Sequence, residues 1–284
     1  MKLEFIQISD ELFHKLGNLI TARYGIKMPP DKKVMFQARM QRRLRELEIN
    51  SFDEYAKMLL TTNLDSPELS VLADYISTNK TEFFREKDHF DFIKDQILPE
   101  YLNNKHIHQV SKLKFWSAGC SNGQEAYSIA IAVEEFMRLK QVLIDYSILA
   151  TDISGRMLKA AKAAIYPISN IDVFPLEYKQ RYLLKSKNQK DPKVRIIKSL
   201  REKVTPSYQN LMDDAYQMTD VFDVILLRNT LIYFNSEVQQ KVLMRVLNSL
   251  RTGGYLIIGH SESLINMNLP IRSIAPSIYV KINI

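Results

Sequence analysis

Between residues 114 and 258, short apolar runs of strand type alternate with segments of helical period, which leaves few architectures open. The runs are Lys114-Phe115-Trp116-Ser117, Tyr146-Ser147-Ile148-Leu149-Ala150, Phe222 to Leu227 and Tyr255 to Ile258, with helices predicted over 125–140, 155–164 and 236–250. Parallel strands need a long crossover, and a helix supplies it. The pattern therefore predicts an α/β fold with a parallel sheet covered by helices on both faces. Its last strand is expected to follow a turn at Gly253-Gly254. One stretch breaks the alternation: Lys193-Val194-Arg195-Ile196-Ile197 reads as an exposed strand, so 179–205 is expected to be a small antiparallel β insertion.

The first eighty residues hold no comparable strand. Ser9 or Asp10 caps a predicted helix that Gly25 and Pro29-Pro30 close, and a second runs from Asp31 to about Leu47. Ser51-Phe52-Asp53-Glu54 is a capping box, and Ser66-Pro67 places a cap before a proline. The expected organisation is an all-α domain over 1–77, a linker and connecting helix over 78–104, and the sheet domain over 105–284. No internal repeat or low-complexity segment is present.

Composition narrows the class. Of 284 residues, 46% are hydrophobic and 25% charged, the balance of a folded globular protein. Acids interrupt the first residues, and no stretch approaches eighteen apolar residues, so a cytoplasmic chain not inserted in a membrane is expected. The single cysteine, Cys120, excludes an internal disulfide and a cysteine-based zinc site. Charge is concentrated: Lys27–Arg45 holds seven cations against Asp31, and Lys179–Lys203 holds ten against Asp191 and Glu202. The formal net charge of the whole chain is +7, so the remainder is net acidic. Two basic patches point to an acidic partner, or else to two solvated faces.

Four segments carry candidate chemistry. Phe115 to Glu125 runs from a strand through the small loop Ser117-Ala118-Gly119-Cys120-Ser121-Asn122-Gly123 into a helix, which lets a ligand press against backbone. It lacks the third glycine of a dinucleotide fingerprint, and Glu125 sits where a pyrophosphate needs a positive helix end. A cofactor without phosphate groups fits better; a packing turn is the plainer alternative. Asp152, at the tip of the next strand, has two oxygens for two ribose hydroxyls, unless it or Ser154 merely caps the following helix. Together the loop and the acid indicate a nucleoside cofactor. Arg228-Asn229 ends the strand at 222–227 abruptly, with Phe234 read as core and Tyr233 open. Thr78 to Glu86 is polar without helical period, and domain packing by Phe83-Phe84 leaves Arg85 unexplained.

In this order the segments Asn79 to Glu86, Trp116 to Ala130, Ala150 to Ile153, Arg228 to Phe234 and Gly259-His260-Ser261-Glu262-Ser263-Leu264 resemble the CheR-type chemoreceptor glutamate methyltransferases. The resemblance implies a helical domain, an S-adenosylmethionine-dependent methyltransferase (Rossmann-like) sheet and a β subdomain inserted in it. It implies methyl transfer to glutamate side chains on cytoplasmic chemoreceptor helices, without a metal or nucleic acid, by a monomer recruited to receptor arrays. By position, Asn79, Thr81 and Arg85 are expected to line the cofactor pocket with Gly119, Glu125 to lie near its methionine end, and Asp152 to hold the ribose. Asn210 and Leu211 match the pair flanking the adenine, Arg228 and Asn229 the pocket floor, and Arg85 and Tyr233 the residues beside the methyl group. Gln124 and Ala126 depart from the acid and proline usual after the loop, and Ser154 from a second acid. The insertion loop Lys185 to Lys193 has no glycine, so gripping of a receptor's carboxyl-terminal pentapeptide is not expected. Arg39, Arg42 and Arg43 share a helix face and are expected to meet acidic receptor helices, the alternative being local pairing with Glu46 and other acids. The rival functions are methylation of another acidic protein or RNA, and a cofactor-bound receptor-binding module without catalysis.

Overall fold

The computed structural model describes residues 5–61, 66–103, 112–216, 218 and 220–283. Four helices open the chain: α1 (Asp10–Tyr24), α2 (Lys33–Glu46), α3 (Phe52–Leu60) and α4 (Pro67–Ile76). Three carry the expected serine caps: Ser9 Oγ accepts the N–H of Leu12 at 3.2 Å, Ser51 Oγ that of Glu54 at 3.1 Å and Ser66 Oγ that of Glu68 at 3.3 Å. Their apolar stripes, among them Phe13, Leu16, Ile20, Phe36, Met40, Phe52 and Leu72, close into one core. Removing such side chains from water is what holds short helices together. The connection is built from α5 (Lys87–Phe92), joined through a π turn at Ile93–Ile97 to α6 (Leu98–Asn103). The expected boundary at 104–105 lies outside the described residues.

The sheet strands are β1 (Leu113–Ala118), β2 (Tyr146–Asp152), β6 (Val204–Tyr208), β7 (Phe222–Leu227), β8 (Leu250–Ile258), β9 (Ile271–Ala275) and β10 (Ile278–Lys281), in the spatial order β6-β2-β1-β7-β8-β10-β9. The first five are parallel, and β10 and β9 add antiparallel strands at one edge. Helices α7 (Gln124–Lys140), α8 (Gly155–Ala163) and α11 (Ser236–Asn248) make the crossovers. From β1 the chain steps outward to β2, then later returns to β7 on β1's other side. Loops from the carboxyl ends of β1 and β7 thus diverge there, where such sheets bind ligands.

The small sheet, order β3-β5-β4, takes its first strand, β3 (Ile165–Pro167), from ahead of the predicted stretch, and adds β4 (Leu183–Lys185) and β5 (Lys193–Ile196). The short helices α9 (Leu176–Tyr182) and α10 (Lys198–Arg201) flank it. The expected turn at Gly253-Gly254 is corrected: β8 runs straight through both. Gly253 is favoured by its φ of +73°, and Gly254 by backbone crowding, since a side chain there would come within 2.9 Å of the Asp223 carbonyl.

Candidate active site

A cavity of about 300 Å³ lies over the carboxyl edge of the sheet, roofed by the helical domain. All eleven residues expected at a cofactor or reaction site line it: Asn79, Thr81, Arg85, Gly119, Glu125, Asp152, Asn210, Leu211, Arg228, Asn229 and Tyr233.

The loop after β1 is shaped by backbone. Gly119 has φ +83°, and a Cβ there would meet Thr230 Oγ1 at 2.5 Å; Gly123, at φ +88°, precedes α7. Asp152 accepts the Ser121 N–H at 2.8 Å on one oxygen and the Ser154 N–H at 2.9 Å on the other. The cap of α8 is Ser154, whose Oγ accepts the Met157 N–H at 3.1 Å, so capping does not account for Asp152. Burial pushes the Asp152 carboxyl up, against the hydrogen bonds from Ser154 and Ser121. Each oxygen keeps acceptor capacity beyond its one backbone N–H.

Arg228 is the hub of the floor. Its side chain is buried, with Nη1 donating to Glu125 at 3.1 Å and Nη2 to Glu86 at 3.0 Å and to the Arg85 carbonyl. Its guanidinium also lies 5.4 Å from the centroid of the Phe90 ring. Glu125 further accepts the Ser117 hydroxyl at 2.7 Å; burial raises its carboxyl, with Arg228 opposing. Burial also works against the charge on Glu86, but hydrogen bonding to Arg228 helps hold that carboxyl below its ordinary range. An acid already occupies the first turn of α7, which leaves that helix end unsuited to a pyrophosphate.

Arg85 stands between two left-handed residues, Phe84 at φ +53° and Glu86 at φ +55°, and reaches the Lys80 carbonyl at 3.2 Å. The Tyr233 hydroxyl donates at 3.1 Å to the Thr78 carbonyl, on the same segment as Arg85; burial raises it, against the charge of Arg85, so it stays a protonated donor. The Asn210 amide is spent on the Arg23 carbonyl at 2.8 Å, tying the sheet domain to the end of α1. It is Leu211, with the roof, that supplies apolar surface.

The roof itself was missing from the sequence reading. Tyr24, Ile26, Met28, Lys32 and Met35 from α1, α2 and their connection line the cavity. The one sequence sign of this was Gly25, where a Cβ would lie 2.6 Å from the Phe234 ring. Apolar walls around a few placed polar groups suit a nucleoside.

Arg39, Arg42 and Arg43 of α2 do not share a free face. Arg39 turns inward to the carbonyls of Ile76 and Ser77 at 2.7 and 3.0 Å, bracing the cavity wall. Arg43 forks onto Glu68, which also accepts the Tyr55 hydroxyl, while Arg42 is exposed and pairs with Glu46 at 2.9 Å. Below the floor, Glu86, His89 and His260 bring possible ligand atoms within 4.8 Å of one another, but Glu86 is already engaged by Arg228, Asn229 and the His260 N–H. Among the described residues, no helix is long and apolar enough to cross a membrane.

A doubly wound sheet whose carboxyl edge carries a glycine loop, a strand-tip acid and an apolar cavity defines an S-adenosylmethionine-binding methyltransferase. The description "CheR methyltransferase, SAM binding domain" matches residues 79–280, and "CheR methyltransferase, all-alpha domain" matches 11–77. The chain belongs to the CheR methyltransferase family. It is 35% identical over 277 residues, 97% of this chain and 96% of the relative, to the chemotaxis protein methyltransferase of Borreliella burgdorferi. To that of Salmonella typhimurium it is 32% identical over 262 residues, covering 92% of this chain and 87% of the relative. With chemotaxis protein methyltransferase 1 of Pseudomonas aeruginosa, identity is 35% over 248 residues, covering 86% of each chain.

Proposed function

We propose that the protein transfers the methyl group of S-adenosylmethionine to glutamate carboxylates of chemoreceptors, giving methyl esters. The observation that carries this reading is the convergence of Asp152, Glu125, Arg85 and Tyr233 on one cavity. Bound in that cavity, the cofactor supplies an electrophilic methyl on a sulfonium. The residues fit it: Asp152 has lone pairs for two ribose hydroxyls, Leu211 and Met28 offer apolar surface for the base, and Glu125 is an acid for the methionine ammonium.

A substrate glutamate, with an ordinary pKa of about 4.3, is already ionised near neutral pH, so no base is required. What the chain must supply is alignment, which can lower a barrier by roughly 7–11 kcal/mol. Arg85 and the protonated Tyr233 hydroxyl both line the cavity and orient the incoming carboxylate. Arg85→Ala is expected to lower kcat about 10²-fold, and Tyr233→Phe about tenfold, with cofactor affinity changed less than either. Steady-state kinetics with calorimetry checks this, and turnover within twofold of the parent for both variants would remove the two residues from this role.

The acidic methylation helices of a receptor are proposed to meet α2 through Arg42 and the neighbouring exposed Arg45, with Lys185, Lys187 and Lys190 of the insertion assisting. An exposed pair such as Arg42–Glu46 contributes little and exchanges readily for a receptor acid. Charge reversal at both arginines is expected to raise the receptor KM about fivefold. Added salt should weaken the parent's contact, because exposed charges are screened over about 10 Å at 0.1 M. A receptor KM indifferent to salt and to the reversal would move the contact elsewhere. No tail-pentapeptide binding is expected.

A further inference from the structure

We propose that Glu262 is a positioning residue: its carboxylate, in the loop after β8, holds the turn from Arg228 to Phe234 in the shape that presents Asn229 and Tyr233 to the cavity. This deepens the proposed methyl transfer and rests on that reading. Glu262 is 9% exposed and does not line the cavity. One of its oxygens accepts the N–H groups of Asn229 at 2.9 Å and Gly259 at 2.7 Å, and the other accepts that of Leu231 at 2.7 Å.

The turn needs such a brace. Asn229 has φ +53°, a left-handed conformation that asparagine tolerates but does not favour. Three backbone N–H groups, those of Asn229, Leu231 and Gly259, would otherwise be left without acceptors in a buried place, which is costly. Gly259 completes the cradle, since a Cβ there would stand 2.5 Å from the Asn229 amide nitrogen. From the opposite side Gln239 donates to the carbonyls of Leu231 and Phe234 at 2.8 and 3.4 Å. The turn is therefore held by its N–H groups on Glu262 and by its carbonyls on α11. Each cavity residue has one further side-chain tie, Asn229 to Glu86 at 3.3 Å and Tyr233 to the Thr78 carbonyl at 3.1 Å, so the backbone between them is what the carboxylate holds.

Glu262→Gln keeps the size but replaces one acceptor oxygen by an NH2 that confronts a backbone N–H. Hydrogen exchange read by mass spectrometry over 229–234 is expected to accelerate about tenfold, and kcat to fall about tenfold, with a smaller loss of affinity for S-adenosylhomocysteine. Glu262→Asp, which keeps both oxygens one methylene back, should lie between the parent and the glutamine variant. Leu200→Ala, a buried change at the base of the β insertion, serves as a control for general destabilisation, lowering Tm while leaving the exchange of 229–234 and kcat near the parent's. The proposal is overturned if Glu262→Gln leaves exchange and kcat within twofold of the parent, or shifts both only as Leu200→Ala does. If the unaltered chain methylates no receptor fragment, the functional reading fails instead, and the exchange comparison, which needs no turnover, still decides the role of Glu262.

Discussion

Replacing Arg228 by methionine is expected to destabilise the fold by about 3–5 kcal/mol, the cost of removing one partner from a buried ionic cluster. The guanidinium is shared by Glu125, Glu86 and the Arg85 carbonyl, so its loss leaves two carboxylates without their cation. The deficit should depend on pH with a definite sign. In the parent, Glu86 has a depressed pKa, so its contribution to stability is present above the unfolded value and is lost as pH falls through the folded one. In the variant, burial without the cation raises both carboxyls, so protonation relieves the strain. The stability gap between parent and variant should be widest near neutral pH and narrow on acidification. Urea unfolding across that range measures it, and a gap that is small or independent of pH would contradict the hub role.

The second large effect is expected at the tip of β2. Asp152→Ala removes the acceptor of two backbone N–H groups that shape the loop, and of the two ribose hydroxyls proposed to bind there. Charge-assisted hydrogen bonds contribute about 1.5–3 kcal/mol each, so losing the pair to ribose amounts to roughly a 10²- to 10⁴-fold loss of cofactor affinity. Titration calorimetry with S-adenosylhomocysteine reads it directly, and unchanged affinity would take Asp152 out of the site.

What could be read from the chain follows from where each interaction acts. Caps such as Ser9 and Ser51 bond to residues three positions away, so their helices were legible. The buried runs of β1, β2 and β7 were legible because a strand covered on both faces leaves a continuous apolar stretch. β6 was not: Pro206 lies within Val204-Thr205-Pro206-Ser207-Tyr208, and the expected β insertion, 179–205, took in its first two residues. It is an edge strand, where proline's missing donor is tolerated. β9 was hidden by exposure, since a strand with no fully buried residue leaves no apolar run. The same division holds at the site. Asp152 and Gly119 declared themselves by their place at strand ends, and the resemblance brought in Arg85 and Tyr233. The roof of Tyr24, Met28 and Met35 depends on how one domain lies on another, and the brace at Glu262 on a contact across 31 to 33 residues. Arg43 shows the limit plainly: its pairing with Glu46 is a helix-spacing matter, but its fork onto Glu68 required α4 to be placed beside α2.

The central claim is the bond that forms, an ester between a methyl group and a glutamate carboxylate. Incubating the protein with methyl-labelled S-adenosylmethionine and receptor cytoplasmic fragments, with RNA as a parallel substrate, tests it most directly when the product is treated with mild base. A glutamate methyl ester releases its label as methanol, whereas a methyl group on nitrogen stays attached. Base-labile label on the receptor fragments and none on RNA is expected; base-stable label, label on RNA alone, or no transfer to either would rule out glutamate methyl ester formation.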